Sequence, residues 1–587
     1  MVLPSAPEQG PSLILIEGGL TAIAFAVAFC LPRLGSAWFS RVERAFGRLA
    51  QRKSLSVAVV GLAALLLRLA ILPLCPIPQP FVHDDFSFLL AADTFASGRL
   101  TNSTPAMWTH FESFQITMKP TYMSMYFPAQ GLVLAAGKVL TGHPWFGILV
   151  VTALMCSAIC WMLQAWLPPT WALLGGILVV LRIGLFSYWI DTYSGGGSIA
   201  ALGGALVLGA LPRFMKKARF RDALLMAVGV VLLGTCRPYD GMLLCLPVIC
   251  FLTRWMLFGK NRPTASVLLR RTAVPLALIV AAGTWMGYYN YRAFGSPVTL
   301  PYTVNRAEYA IAPYFVWQSQ RPEPLYHHKI IREFYHREEL DNFRKIHSLS
   351  GFVPETLAKT ARGVLFYSGI ALLVPLIMAR RVFLDRRIRF LISCVLILMA
   401  GQLAEVFLIP HYLAPFTAAF YAIGLQAMRH LRLWNPGEQP VGKTLVRLTV
   451  TLCFVLAGMR LYAEPLHLAL PVWPSVWASE WYGSDSRAGT ARAQIETRLE
   501  QMPGTQLVIV SYSPDHNPPD EWVYNAADID NSKVIWAREM DEAENSELIH
   551  YYSNRTVWLV QPDTKPAKVS LYTSPAQQAI NGQSMKH

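Results

Sequence analysis

Apolar stretches long enough to cross a membrane recur from one end of this sequence to the other, and they limit its fold more than any other feature. A hydrocarbon layer is roughly 30 Å thick and takes about 20 helical residues to cross. Hydropathy read in windows of about 19 residues places such stretches at 13–31, 55–74, 129–163, 171–188, 195–211, 222–236, 241–258, 273–290, 362–379, 390–408, 412–428 and 445–461. The 129–163 stretch is too long for one span and is interrupted at Gly142-His143-Pro144, so it is expected to be one crossing preceded by a surface helix. Only 15% of the 587 residues are charged, against about 25% in soluble chains. The expected fold class is therefore a polytopic α-helical membrane protein of about 12 spans.

Basic residues orient these spans, because Lys and Arg concentrate in cytoplasmic loops. Residues 33–53 hold six, the segments 213–221, 254–271 and 380–389 hold five each, and 429–447 holds four. The intervening loops 189–194 and 409–411 hold none. Twelve spans put every basic segment on one side and both the N-terminus and the tail on the other. The net charge of +15 is mostly this orientation signal, and it is poor evidence for a nucleic-acid partner. The first 31 residues have no basic stretch ahead of the apolar run and no small-x-small site after it, so they read as a retained span. All nine cysteines lie in or beside expected spans, which implies no disulfide framework.

The chain divides into an N-terminal span with its basic loop (1–54), a transmembrane domain (55–462) with external loops at 75–128 and 291–361, and an extracytoplasmic tail (463–587). Within the tail, 491–500 and 542–552 read as helices, and 507–512, 534–537 and 556–561 as strands. Alternating helices and apolar strands predict a small α/β domain with a partly parallel sheet and its own core. From Glu464 onward there are 16 acidic and 9 basic residues, so its surface is expected to be acidic.

The sharpest local signal is His83-Asp84-Asp85-Phe86-Ser87-Phe88-Leu89-Leu90, just outside the second span. Adjacent carboxylates opening an apolar helix near a bilayer are costly to bury. They can serve as helix-terminal charges favoured by the dipole, or they can do chemistry. The stretch HDDFSFLLAADTFASGRLTN, continued by MWTHFESF and by Tyr126-Phe127-Pro128-Ala129-Gln130-Gly131, resembles the first external loop of the GT-C membrane glycosyltransferases. More narrowly, it is similar to a bacterial subgroup related to the dolichyl-phosphate-mannose protein mannosyltransferases and the aminoarabinose lipid A transferases. The likeness of architecture spans roughly residues 55–460, but the specific motif covers only about fifty residues.

This resemblance implies an inverting transfer of a sugar from a polyprenyl-phosphate donor to a lipid, glycan or protein acceptor, at the outer face of a bacterial cell membrane. It implies Asp84 as the base that takes the acceptor proton, with Asp85 orienting the acceptor or holding a divalent ion such as Mg or Mn. A phosphate leaving group needs no strong acid, whereas base catalysis is typically worth about 10²- to 10⁴-fold.

A phosphate donor also calls for cations near the outer surface. Arg68 and Arg182 lie inside spans near their outer ends, where they can meet phosphate or simply snorkel. Arg237 opens the outer turn Arg237-Pro238-Tyr239-Asp240-Gly241 and is a donor-binding candidate together with Tyr239 and Asp240. Further substrate-binding candidates are His83, Asp191 and Tyr193 in an aromatic, glycine-rich outer turn, and His411-Tyr412, with Glu405 just inside; the bland alternative for the turn is an interfacial aromatic belt. His327-His328 and Asp515-His516 lack a third ligand at metal spacing, so zinc is not expected. Two other functions stay open: a glycan ligase or polymerase of the same architecture, favoured by the long 291–361 loop, and a lipid or sugar transporter or flippase. A transporter should show broken helices and charges near the bilayer midplane, and the sequence displays neither.

Overall fold

The computed structural model describes residues 12–259, 262–463, 465–468 and 489–573. Residues 1–11, residues 260 and 261 of the basic segment 254–271, and parts of the expected tail (464, 469–488 and 574–587) lie outside the described residues.

Among the described residues, seven helices are long and apolar enough to cross a membrane: Leu13–Cys30, Lys53–Ala70, Trp145–Trp166, Gly197–Lys217, Pro238–Phe258, Ala265–Phe294 and Val441–Leu461. The pair Ser350–Ser368 and Ala371–Leu384, bent by 105°, makes an eighth. The other four expected spans are shorter: Pro169–Gly184, Phe220–Cys236, Arg389–Leu403 and Thr417–Arg432. Segment 129–163 divides as expected, into Pro128–Thr141 and Trp145–Trp166. Helix Gly197–Lys217 is central, packing on Trp145–Trp166 and Phe220–Cys236, whereas Ala265–Phe294 packs on Phe220–Cys236 from the outside and buries only Pro275 and, at its end, Tyr289, Asn290, Ala293 and Phe294.

The expected straight span 362–379 is corrected: the chain breaks at Gly369, whose φ of 57° is readily available only to glycine. A break inside an apolar bundle strands backbone groups that lipid cannot satisfy. Two buried charges meet them. Arg182 donates from Nε to the Phe366 carbonyl at 3.0 Å and from its guanidinium to the Leu365 carbonyl, where a helix C-terminus favours a cation. Glu17 accepts the Ala371 N–H at 2.9 Å, where the next helical segment begins. A broken helix with intramembrane charges therefore does exist, contrary to expectation, and those charges hold its ends.

The tail forms a four-stranded sheet in which Thr505–Val510 lies between Val534–Arg538 and Arg555–Gln561, both parallel to it, and Lys568–Leu571 adds an antiparallel edge. The edge strand was not evident from the sequence. Side chains alternate between faces with the strand period of two. Val508, Val510, Val534 and Trp536 pack with Leu499 on the helix Thr490–Gln501. Leu507, Ile535 and Ala537 pack instead with Leu90, Phe111, Ile116, Met118 and Tyr122 of the first external loop. The tail thus shares one of its two cores with that loop, which corrects the expectation of a self-contained core.

Polar contacts reinforce this seam. Arg538 donates from Nε to the Glu112 carbonyl at 2.6 Å and pairs with Glu521, both side chains being almost fully buried. Glu521 also accepts the Ser113 hydroxyl at 3.1 Å, and its backbone N–H donates to the Phe81 carbonyl at 3.3 Å. Val82 pairs with Asp520 in an antiparallel bridge, so the tail grips the chain immediately ahead of Asp84.

Candidate active site

The helix His83–Ala96 is buried on nearly all sides, which explains why its sequence is apolar throughout rather than amphipathic. Val82 enters in extended conformation as the N-cap, and no side chain caps the helix. Both carboxylates lie in its first turn, where the dipole favours them, and their hydrogen bonds go to groups outside the helix.

Asp84 Oδ1 accepts the Tyr126 hydroxyl at 2.5 Å. Burial and the Asp84 charge push the Tyr126 phenol well above its usual pKa, so it remains a donor. The His83 Nδ1 accepts the Asp84 backbone N–H at 3.0 Å. The same nitrogen lies 3.4 Å from Asp84 Oδ1. His83 itself is packed between Phe114 and Phe334, at 5.2 and 5.1 Å between ring centroids. It is a wall of the site.

Asp85 is completely buried. Its Oδ1 accepts the Tyr193 N–H at 3.0 Å, while Oδ2 has no hydrogen bond. Burial is the main reason its pKa is pushed up to about 7, opposed by the Tyr193 and Phe81 amides and raised further by Asp84. The groups that meet Asp85 are N–H and O–H donors, and no cluster of three or more His, Cys, Asp or Glu at metal-binding separation occurs among the described residues. Asp85 thus serves as a hydrogen-bond acceptor through Oδ1.

Arg237 reaches two of the tyrosines that Asp84 also reaches, Tyr302 and Tyr412. Its Nε donates to Asp240 Oδ2 at 2.7 Å, and its guanidinium carbon sits 4.1 Å from the centroid of the Tyr412 ring. Gln402 donates to the other Asp240 oxygen at 2.7 Å. Tyr126, Tyr302, Tyr314 and Tyr412 are all partly exposed. Tyr302 is 5.5 Å from Tyr126 and 6.0 Å from Tyr314 between centroids, and both Asp84 and Arg237 act electrostatically on Tyr302 and Tyr412. Tyr302 and Tyr314 come from the second external loop, which Arg306 pins by pairing with both Glu339 oxygens at 2.8 and 2.6 Å.

Of the remaining candidates, His411 stays beside this group, 5.0 Å from Tyr412 between ring centroids, and the others are bonded elsewhere. Arg68, fully buried, pairs with Asp191 at 2.9 Å and donates to the Cys75 carbonyl at 2.8 Å. With Arg182 at the helix break, both intramembrane arginines are committed to packing, a correction to their assignment as phosphate ligands. Asp191 is likewise committed to Arg68. The Tyr193 hydroxyl donates to the Pro78 carbonyl at 2.9 Å, and its backbone serves Asp85. The Tyr239 hydroxyl donates to the Gly401 carbonyl at 3.0 Å. His411 receives the Tyr188 hydroxyl at Nδ1 (2.8 Å), and its own N–H donates to that same oxygen at 2.9 Å. Its ring rests against Gly195, whose φ of 83° leaves no room for a side chain.

His327 and His328 do meet a third residue, Glu112, at 3.0 and 3.5 Å. Glu112 also accepts the Tyr309 hydroxyl at 2.6 Å, and His328 Nε2 lies 2.6 Å from the Thr109 carbonyl. Burial drives the His328 pKa down to about 3, so it is neutral there. His516 pairs with Asp563 at 2.6 Å, not with its sequence neighbour Asp515.

No family model matches the chain, and no curated protein matches its sequence. Among solved structures, the chain is similar to the Archaeoglobus fulgidus oligosaccharyltransferase tethered with an acceptor peptide, at 11% identity and a TM-score of 0.47, over 86% of this chain and 68% of that one. It is similar also to ArnT from Cupriavidus metallidurans in the apo state, at 12% identity and a TM-score of 0.46, over 86% and 92%. The same protein bound to undecaprenyl phosphate gives 12% and 0.43 over the same shares. Likeness at this level concerns the course of the chain alone.

Proposed function

We propose that this protein is an inverting glycosyltransferase that moves a sugar from a polyprenyl-phosphate donor to an acceptor at the extracytoplasmic membrane face. The observation that carries the reading is Asp84: a buried carboxylate whose Oδ1 is held by the Tyr126 hydroxyl and whose charge, like that of Arg237, reaches Tyr302 and Tyr412. The acceptor hydroxyl or amine gives its proton to Asp84 as its oxygen or nitrogen attacks the anomeric carbon. The bond from that carbon to the phosphate oxygen breaks, and the polyprenyl phosphate departs as an anion. One displacement inverts the anomeric centre, so no second carboxylate is needed as a nucleophile.

Each neighbour has a part in this scheme. Tyr126 fixes Asp84 by donating to Oδ1, leaving Oδ2 for the acceptor. Arg237, charged at any physiological pH, balances the phosphate, and Asp240 aims it. The four tyrosines offer faces on which a sugar ring can stack and hydroxyls that can bind it. Asp85, held by the Tyr193 amide, positions the helix that carries Asp84.

The reading is tested by incubating the purified chain with undecaprenyl-phosphate hexose or pentose donors and following release of undecaprenyl phosphate. Deleting the gene should also remove one sugar mass from an extracytoplasmic lipid or glycan. Absence of both effects would overturn it.

A further inference from the structure

At the end of the bundle opposite Asp84, a cavity of about 500 Å³ opens among Trp171, Arg387, Gln426, Arg429, His430 and Arg432. The helix Thr417–Arg432 links the two ends. It begins just after the turn carrying Tyr412, and its last residues line the cavity, which puts the two places about 22 Å apart at 1.5 Å per residue. The volume falls within the range of small-molecule sites, roughly 300–1,000 Å³.

The charges in this cavity are not balanced. Asp385 is its one lining carboxylate, and it is already engaged by the Gln426 amide, by the Arg387 backbone N–H at 3.0 Å and by His430 Nε2 at 3.2 Å. Glu43 takes both Arg432 and Arg447, at 2.9 Å each. Arg429 donates only to a neutral partner, the Gln426 side-chain oxygen, at 2.6 Å. Arg387 has no ion-pair partner among the described residues, and its charge and that of Arg429 repel one another. Two guanidinium groups thus border one polar cavity whose single acid, Asp385, attracts Arg429 but already serves the Gln426 amide, His430 and a backbone N–H.

We propose that this cavity is a binding site for a phosphate anion. Guanidinium forks match phosphate oxygens, and an anion between Arg387 and Arg429 would relieve their repulsion. Two sources carry the same group: the headgroup of an anionic phospholipid and a free soluble phosphate. The surroundings suit the lipid. Trp171 is a half-buried aromatic beside the cavity, as at membrane interfaces. The adjoining helix Ser36–Gln51 exposes Trp38 and Val42, one turn apart, together with Arg41, Arg44 and Arg48, the pattern of a helix lying on an anionic leaflet.

The test uses the full chain in neutral detergent. Native mass spectrometry measures retention of phosphatidylglycerol against phosphatidylcholine, and a separate titration with inorganic phosphate follows Trp fluorescence. The combined variant Arg387→Ala with Arg429→Gln should lower affinity for the anion about tenfold or more. Arg381→Ala, which removes an exposed arginine outside the cavity, should change it less than twofold. Binding of phosphatidylglycerol assigns the site to a lipid headgroup, and binding of phosphate alone assigns it to a soluble anion; both support the proposal. It is overturned if neither anion binds, or if Arg381→Ala weakens binding as much as the cavity variant does, since that is the behaviour of a diffuse basic surface.

Discussion

Glu521→Ala should loosen the tail and the start of the helix His83–Ala96 together. Glu521 and Arg538 are almost fully buried at the seam between the tail and the first external loop. Glu521 additionally accepts the Tyr512 hydroxyl at 2.8 Å, the Val523 N–H at 2.7 Å and the Ser113 hydroxyl at 3.1 Å. Removing one partner of a buried pair strands the other charge, which typically costs about 3–5 kcal/mol. Whole-domain stabilities are only about 5–15 kcal/mol, so local opening becomes frequent. Three kcal/mol corresponds to roughly 10²-fold faster amide exchange where opening limits it. Hydrogen exchange with peptide resolution should therefore show that acceleration in strands 505–510 and 534–538. Because Val82 and Phe81 are hydrogen-bonded to Asp520 and Glu521, residues 81–86 should accelerate as well. Faster exchange in the sheet with residues 81–86 unchanged would refute the coupling of tail to site.

Other outcomes follow from the same structure. Asp85 has a folded pKa of about 7, well above the carboxylate norm, so its contribution to stability is full at low pH and is lost as the pH rises through 7. Asp85→Asn should accordingly match wild type in thermal unfolding only near about pH 3.5, below the unfolded carboxylate range, gain on it progressively as the pH rises towards 7, and exceed it at pH 8 by up to a few kcal/mol. Residues 489–573 expressed alone expose the face of Leu507, Ile535 and Ala537, and should bind an apolar dye or self-associate; a monomeric, dye-silent fragment would contradict the shared core. Arg237→Ala combined with Asp240→Asn, which avoids leaving a buried acid unpaired, should raise the donor KM roughly tenfold or more while kcat changes little.

Much of the architecture was legible because hydropathy and strand alternation are local properties. The apolar windows correspond to helical segments throughout, and the tail strands 505–510, 534–538 and 555–561 lie where alternation put them. Hydropathy cannot register direction, however, so the 105° bend at Gly369 was invisible inside a uniformly apolar run. The fates of Arg68 and Arg182 depend on partners 123 and about 184 positions away, which no spacing rule reaches. The site is harder still. Asp84 stood out because two acids beside a bilayer demand an explanation, but Tyr302 and Tyr314 are ordinary loop tyrosines until the 291–361 segment folds over the first loop. Glu112, likewise, reads as one acid among aromatics until His327 and His328 arrive beside it.

The most direct test of the proposed chemistry is transfer by Asp84→Asn, which keeps the shape of the side chain and an oxygen for the Tyr126 hydroxyl but removes the basic carboxylate. Measured with saturating donor and acceptor on folded protein, kcat should fall by roughly 10²-fold or more while donor binding is retained; turnover within a few-fold of wild type would contradict the assignment of Asp84 as the base.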